Sequence, residues 1–216
     1  MTCCYSSIGE ATDRQFGRKR ADADLEQYRA KGPGATTRLL LAGLAKAGPA
    51  QGSLLDIGSG VGAVTFELLK QGTTRGVGID LSSAYVAAAS DEAARLGLSA
   101  SVRFIHGDVL DVAVPLSSSD IVTLDRVICC YPESDRLLDE SLRHASRCFA
   151  LSYPRDVWYV RAWVGIQNAG RYVTRNPFRT FVHSAARIEE IILRTGFTLL
   201  SRSHTRTWCA DVYVRS

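Results

Sequence analysis

The amino-acid sequence predicts an α/β fold, with helices on both faces of a mostly parallel sheet. Between Leu54 and Ser152, apolar strand-like runs alternate with helical periodicity, and repeated βα units require a parallel sheet. Residues 53–62 end an apolar run in an acid and three alternating glycines, which is typical of the strand, turn and helix that open a Rossmann-like unit. Near the carboxyl terminus, two strand-like runs joined by a polar turn predict an antiparallel hairpin that closes the sheet.

The individual elements follow from the same patterns. Residues 13–31 predict an exposed, highly charged helix, and the leucines at positions 39–44 predict a second helix that ends at Gly48-Pro49. Strands are predicted at Leu54–Ile57, Gly76–Ile79, Val102–Ile105, Asp120–Leu124, Cys148–Ser152, Phe197–Ser201 and Trp208–Val214. Helices are predicted at about Val61–Gln71, Ala84–Leu96, Pro132–Ala145 and Ala185–Arg194. We therefore expect one domain, residues 1–216, in which residues 1–48 form an N-terminal helical lead-in.

Residues 153–183 fit neither the strand pattern nor the helix pattern. This segment interleaves arginines with aromatic residues, namely Arg155, Arg161, Arg171, Arg175 and Arg179 among Tyr153, Trp158, Tyr159, Trp163, Tyr172 and Phe178. Arginine binds carboxylates and phosphates, and aromatic faces stack on planar rings. We therefore interpret the segment as an inserted substrate lid at the ligand edge of the sheet. In a plainer interpretation, Val157, Val160 and Val164 are the buried stripe of a lid helix whose arginines are solvated.

Composition limits the class of protein. A hydrophobic content of 46% and a charged content of 22% are those of a soluble globular domain, and no apolar run approaches the ~18 residues of a membrane-spanning helix. The spacing of the six cysteines, at positions 3, 4, 129, 130, 148 and 209, is poorly suited to a set of disulfide bonds. The N-terminus also lacks the features of a secretory signal. We therefore expect a cytoplasmic protein. The net charge of +4 does not indicate nucleic acid binding but is compatible with an anionic substrate.

The glycine turn taken alone allows two kinds of cofactor. Gly58, Gly60 and Ala63 fit the dinucleotide-binding fingerprint. Asp80 lies twenty residues after Gly60, where a carboxylate can accept hydrogen bonds from ribose hydroxyls. Because nicotinamide dinucleotides and S-adenosylmethionine both contain ribose, this acid does not distinguish them.

Two later motifs resemble the class I S-adenosylmethionine-dependent methyltransferases. His106-Gly107-Asp108-Val109 is similar to the family motif whose acid contacts the adenine amino group, and Asp125-Arg126 lies where the family places residues facing substrate and cofactor. A dehydrogenase explains neither motif. The motifs that carry the resemblance lie within residues 53–152. The resemblance implies a seven-stranded Rossmann-like sheet that binds S-adenosylmethionine without a metal ion. It also implies that the cofactor is bound by Tyr28, Asp56, Gly58, Ser59, Gly60, Gly62, Asp80, Leu81, Gly107, Asp108, Val109 and Asp125.

Methyl transfer from a sulfonium requires little chemical assistance from protein side chains. The sulfonium is already a strong electrophile, so catalysis is mainly in-line positioning of the acceptor, and a base is needed only for a protonated nucleophile. Among His183, Tyr131, His106 and Tyr28, we predict His183 and Tyr131 as catalytic residues, although His183, next to the helix cap Ser184, is also explained as a hydrogen-bonded structural residue. The predicted substrate-binding residues are Arg126, Tyr153, Arg155, Trp158 and Arg179.

A looser resemblance concerns the molecule that accepts the methyl group. Residues 125–132, 151–155 and 176–183 are similar to a bacterial group related to magnesium-protoporphyrin O-methyltransferases, which implies a planar, carboxylate-bearing small molecule. Two alternatives stay open. Cys3, Cys4, Cys129 and Cys130 are compatible with an arsenite methyltransferase, and Trp158, Trp163 and the arginines are compatible with a peripheral membrane module or another non-catalytic cofactor-binding protein.

Overall fold

A computed structural model describes residue 9, residues 11–111 and residues 116–215 of the chain. The helices are α1 (Arg18–Lys31), α2 (Ala35–Ala45), α3 (Ala63–Lys70), α4 (Ser83–Arg95), α5 (Ser134–Arg143), α6 (Trp158–Val173) and α7 (Ala185–Leu193). The strands are β1 (Gly52–Ile57), β2 (Thr73–Asp80), β3 (Val102–His106), β4 (Ser119–Asp125), β5 (Ala145–Pro154), β6 (Phe197–His204) and β7 (Trp208–Arg215). Each of the seven predicted strands is present.

The strands form one sheet in the order β3-β2-β1-β4-β5-β7-β6. The first five strands pair in parallel, whereas β7 pairs antiparallel with both β5 and β6. The predicted fold class, a mostly parallel Rossmann-like sheet with a carboxyl-terminal antiparallel hairpin, is confirmed. Strand order reverses between β1 and β4, and open α/β sheets bind their ligands at the carboxyl ends of the strands where this reversal occurs.

Side chains alternate between two apolar layers along β1. Leu54 packs with α2 and α3 on one face, whereas Leu55 and Ile57 pack with α5 and α7 on the other. This alternation is the expected result of a period of two residues in a strand that is covered on both faces. The predicted helical coverage of both faces is therefore present, and it leaves the carboxyl ends of the strands open for a ligand.

Two segments differ from the sequence prediction. The charged helix α1 is less exposed than expected, because Ala21, Leu25 and Tyr28 are buried on its inner side. Strand β5 continues to Pro154, so Tyr153 belongs to the sheet and not to the insertion. The cause is the antiparallel partner β7, in which Cys209 and Trp208 pair with Tyr153 and Pro154.

The insertion consists of α6 and an irregular segment, residues 174–184. Val160 and Val164 are buried beneath α6, as in the plainer interpretation of the sequence, and Val157 is half-buried. Across the described residues, no helix has the length and apolar character needed to cross a membrane.

Candidate active site

A pocket opens at the carboxyl ends of β1, β2 and β4, with about 1270 Å³ of empty space that includes its open mouth. Most of the predicted cofactor residues line this pocket: Tyr28, Asp56, Gly58, Ser59, Gly60, Asp80, Leu81, Gly107, Val109 and Asp125. Gly62 and Asp108 do not line it. The site thus lies at the reversal of strand order, where the topology predicts a ligand.

The glycine turn after β1 has a backbone that other residues would not tolerate. Gly58 has a φ of 66°, and a Cβ atom there would lie 2.3 Å from a methyl group of Val127. Gly62 has a φ of 82°, and its Cβ would lie 2.8 Å from the ring of Phe66. Gly58 therefore clears the space beside Val127 in the pocket lining, whereas Gly62 lets the start of α3 pack closely against its neighbours.

Asp56 is buried at the end of β1. Its two carboxylate oxygens accept hydrogen bonds from the hydroxyls of Thr123, at 2.7 Å, and Thr65, at 2.8 Å. Burial raises the pKa of Asp56 to about 7, and the two hydroxyl donors offset part of that effect. The pocket therefore contains a carboxylate that titrates near neutral pH.

Asp80 holds the glycine turn and the start of α4 in place. Its Oδ2 atom accepts a hydrogen bond from the Gly60 N–H at 2.8 Å, and its Oδ1 atom accepts one from the Ser82 N–H at 2.8 Å. Burial raises the pKa of Asp80, and these backbone donors counteract the shift. Because each carboxylate oxygen has a second lone pair, Asp80 keeps capacity to accept bonds from a ligand in the pocket.

Asp125 joins three elements beside Asp56. Its carboxylate accepts hydrogen bonds from the hydroxyls of Thr37 on α2 and Ser152 on β5. The following residue, Arg126, has a φ of 63°, which is uncommon for a residue other than glycine, and its N–H donates to the Ser152 hydroxyl. The Arg126 guanidinium lies 5.9 Å from the centre of the Trp208 ring, and Arg126 lines the pocket.

Asp108 and Tyr131 form a pair at the edge of the pocket. The Tyr131 phenol hydrogen-bonds to Asp108, which also accepts a bond from the Leu110 N–H. Burial, with a contribution from Asp108, raises the pKa of Tyr131 well above its usual range. Tyr131 lines the pocket, and its protonated phenol donates its single hydrogen to Asp108, so the phenol is a poor base at neutral pH and presents its oxygen and ring to the pocket.

His183 lies outside the pocket lining. Its Nε2 atom is 3.1 Å from the Ile128 carbonyl oxygen and 3.0 Å from the Tyr131 carbonyl oxygen. Both partners are acceptors, so Nε2 carries a hydrogen, and burial lowers the pKa of the imidazole. These contacts favour the structural explanation of His183, in which the ring fixes the turn that presents Tyr131; its role as a base stays a prediction.

Of the predicted substrate residues, Arg126 alone lines the pocket. The Tyr153 hydroxyl donates to Asp211 inside the sheet, because the extended β5 buries this side chain. Arg155 donates to the Arg206 carbonyl, and Arg179 donates to the carbonyls of Asn176 and Phe178. The Trp158 side chain is 80% exposed on the outer surface of α6. These four residues therefore do not line the pocket with Arg126.

The N-terminal segment supplies pocket residues that the sequence did not predict: Thr12, Phe16, Asp24, Gln27 and Thr37. The Phe16 ring packs edge-on against Phe178, at 5.3 Å between ring centres, and the side chain of Gln15 hydrogen-bonds to Asn176. The N-terminal segment and the end of the insertion therefore meet above the pocket. No local motif signals this contact, because the two segments are far apart in the sequence.

Two buried hydroxyls at the pocket have no partner within the described chain, namely those of Thr12 and Ser59. A buried polar atom without a hydrogen bond is costly, so these hydroxyls fit a site that a polar ligand completes. Together with the cleared backbone at Gly58 and the carboxylate of Asp80, they suit a nucleoside-containing cofactor.

The adjacent cysteines do not form a metal site with other described residues. The Cys129 and Cys130 sulfur atoms are 3.9 Å apart, and the neighbouring Cys129 thiol and burial together raise the pKa of Cys130. No group of three or more His, Cys, Asp or Glu side chains in the described ranges could hold a metal ion. Cys3 and Cys4 lie outside the described residues, so the structure does not address their predicted role with arsenite.

The sheet order, the antiparallel β7 and the pocket at the glycine turn are those of the Rossmann-like methyltransferase fold. Residues 54–148 match a family profile described as a methyltransferase domain. This part of the chain is therefore similar to a methyltransferase domain, as the resemblance in its motifs implied. Among curated proteins, none matches the sequence significantly.

Solved structures share the fold over most of the chain. Magnesium protoporphyrin IX methyltransferase from Synechocystis PCC 6803 with bound SAH matches with a TM-score of 0.70 at 19% identity, covering 97% of this chain and 100% of that chain. Geranyl diphosphate C-methyltransferase from Streptomyces coelicolor A3(2) matches with a TM-score of 0.65 at 16% identity, covering 92% and 80% respectively. These matches show the fold, and neither they nor the family profile supports the arsenite alternative.

The contacts of His183 generate a prediction about stability. We expect His183→Ala to lower the free energy of unfolding by about 1–3 kcal/mol, because it leaves two carbonyl groups without their shared donor. His183→Asn should retain more stability, since its amide can donate to the same atoms. Urea unfolding measures both, with His204→Ala at an exposed histidine as the control. A His183→Ala protein as stable as the wild type would contradict the structural role.

Proposed function

We propose that this enzyme transfers a methyl group from S-adenosylmethionine to a planar, carboxylate-bearing small molecule. The observation that carries the proposal is the position of Arg126, a residue of the pocket lining that has no acidic ion-pair partner among the described residues. A cation at a pocket mouth favours an anionic group, and its neighbour Trp208 offers an aromatic face for a planar ring. The magnesium protoporphyrin IX methyltransferase that shares the fold is consistent with such an acceptor.

The pocket residues support an orientation for the cofactor. We assign the methionine end to the glycine turn and Asp56, because the carboxylate favours the cofactor's positive charges. We assign the ribose to Asp80 and the adenine to the region of Leu81, Gly107 and Val109, next to Asp108. In this arrangement the unpartnered hydroxyls of Thr12 and Ser59 provide further polar contacts around the cofactor.

The bound cofactor supplies an electrophilic methyl group, and the protein's residues hold the acceptor in line with it. Correct orientation contributes up to about 7–11 kcal/mol in favourable cases. We propose that Tyr131 orients the acceptor through contact with its ring, because its single phenol hydrogen is donated to Asp108 and burial keeps the phenol protonated. A carboxylate acceptor is ionised at neutral pH and needs no base, whereas a hydroxyl acceptor would need one.

Binding of the cofactor tests the basis of the proposal. We expect calorimetry to detect S-adenosylmethionine binding and no binding of NAD. Asp80→Asn should weaken that binding by about 10- to 100-fold, because it removes a charge-assisted acceptor from the ribose site and one acceptor from the glycine turn. Asp91→Asn, at an exposed acid on the same βα unit, should bind like the wild type. Binding of NAD in place of S-adenosylmethionine would overturn the proposal.

The raised pKa of Asp56 predicts proton release on cofactor binding. At a pH near 7 about half of the Asp56 side chains are protonated, and the positive charges of S-adenosylmethionine favour the ionised form. Binding should therefore release a proton from Asp56, and affinity should rise as the pH increases through this range. Calorimetry in phosphate and in Tris, which differ in ionisation enthalpy, measures the release. Asp56→Asn should lose this component, and an unchanged proton count in that variant would contradict the assignment.

The acceptor class is tested with magnesium protoporphyrin IX as the probe, by measuring formation of S-adenosylhomocysteine. We expect turnover by the wild type and an increase of about tenfold or more in KM for Arg126→Gln, because a charge-assisted contact to the carboxylate is lost. Arg194→Gln, at an exposed arginine that caps the carboxyl end of α7, serves as the control. An enzyme that binds the cofactor but does not methylate this probe would contradict the acceptor class and leave the cofactor assignment intact.

A further inference from the structure

The outer side of α6 presents large apolar side chains to solvent. Trp158, Ile166 and Val173 are 80%, 64% and 80% exposed, and their spacing places them on one stripe of the helix, opposite the buried Val160 and Val164. The helix is therefore apolar on two sides, and the described chain covers just one of them. Single exposed apolar residues are common, whereas a continuous apolar face marks an interaction site.

No charged residue interrupts this outer face. The positions between Trp158 and Val173 on the same side are small, namely Ala162, Gly165, Ala169 and Gly170. Trp163 and Tyr172, which are 57% and 75% exposed, border the face. Tryptophan and tyrosine at the edges of an apolar helix face are typical of helices that lie in the boundary between lipid headgroups and acyl chains.

The net positive charge of the protein is concentrated around the same helix. Residues 155–179 contain five arginines and a single acid, Asp156, so their formal charge equals the +4 of the whole chain. Arg161 pairs with Asp156, and the other four arginines have no acidic partner in the described ranges. The rest of the chain is neutral overall, and the apolar face lies on a cationic segment.

A surface groove follows the end of α6. It is lined by Tyr172, Val173, Arg175, Asn176, Pro177 and Arg179. Arg175 has a φ of 54°, a conformation uncommon outside glycine, which directs the chain away from the helix axis at this point. Two arginines beside an exposed tyrosine offer a phosphate group charge-assisted hydrogen bonds next to the apolar face.

We propose that the outer face of α6 docks onto a membrane surface that contains anionic phospholipids. The apolar stripe enters the headgroup boundary, and Arg175 and Arg179 in the adjacent groove contact lipid phosphates. Charge complementarity favours this occupant over a second copy of the chain, because pairing two copies through α6 would bring two segments of charge +4 together. The surface is separate from the cofactor pocket, so this inference does not depend on the proposed acceptor.

Co-sedimentation with vesicles tests the proposal. We expect the wild type to sediment with vesicles of phosphatidylglycerol and phosphatidylcholine and much less with phosphatidylcholine alone, and we expect added salt to weaken the binding. The triple variant Trp163→Ser, Ile166→Ser, Val173→Ser should reduce the partition coefficient by about tenfold or more. The variant Leu193→Ser, Leu199→Ser, Leu200→Ser removes three exposed leucines elsewhere and should sediment like the wild type.

Several results would overturn the proposal. Wild-type protein that stays in the supernatant with anionic vesicles excludes the docking surface, as does a triple α6 variant that sediments like the wild type. A wild-type dimer that becomes a monomer in the triple variant would assign the face to a second copy. Retained binding of S-adenosylmethionine by the variants establishes that they are folded, so loss of sedimentation reports on the surface itself.

Discussion

The buried carboxylate of Asp56 is the interaction on which the floor of the site depends. It accepts hydroxyl hydrogen bonds from Thr123 on β4 and Thr65 on α3, and it ends the strand that leads into the glycine turn. One side chain thus connects the two central strands to the first crossover helix at the point where strand order reverses. Without these donors the buried acid would be unpaired, which is among the more costly arrangements in a protein interior.

The features that the sequence predicts well are local. The glycine turn, the acids Asp56, Asp80 and Asp125 at strand ends, and the alternation of strands and helices each depend on residues close in sequence. Parallel pairing then brings these strand ends to one edge. The sheet and the strand-end residues of the pocket could therefore be predicted before any tertiary contact was known.

The features that the sequence did not predict arise from contacts between segments that are far apart in the sequence. Tyr153 looked like part of the insertion, and pairing with β7 makes it a buried residue of the sheet. His183 was the first candidate for a base, whereas in the structure its ring hydrogen-bonds to the backbone carbonyls of Ile128 and Tyr131. Thr12 and Phe16 carry no motif, and they reach the pocket because α1 packs against α4, with Arg29 paired to the buried Glu92.

The hydrogen bonds of Asp80 have a consequence for the energetics of ligand binding. Its carboxylate already fixes the Gly60 and Ser82 amides, so the glycine turn has its ligand-ready shape before a cofactor arrives. A loop that is already ordered loses little conformational entropy when a ligand binds. The free energy of each new contact therefore contributes to the affinity and does not have to offset the cost of ordering the chain. The cofactor therefore binds to a preorganised surface. The site distinguishes similar nucleosides by how well their shapes complement a backbone that does not adjust to them.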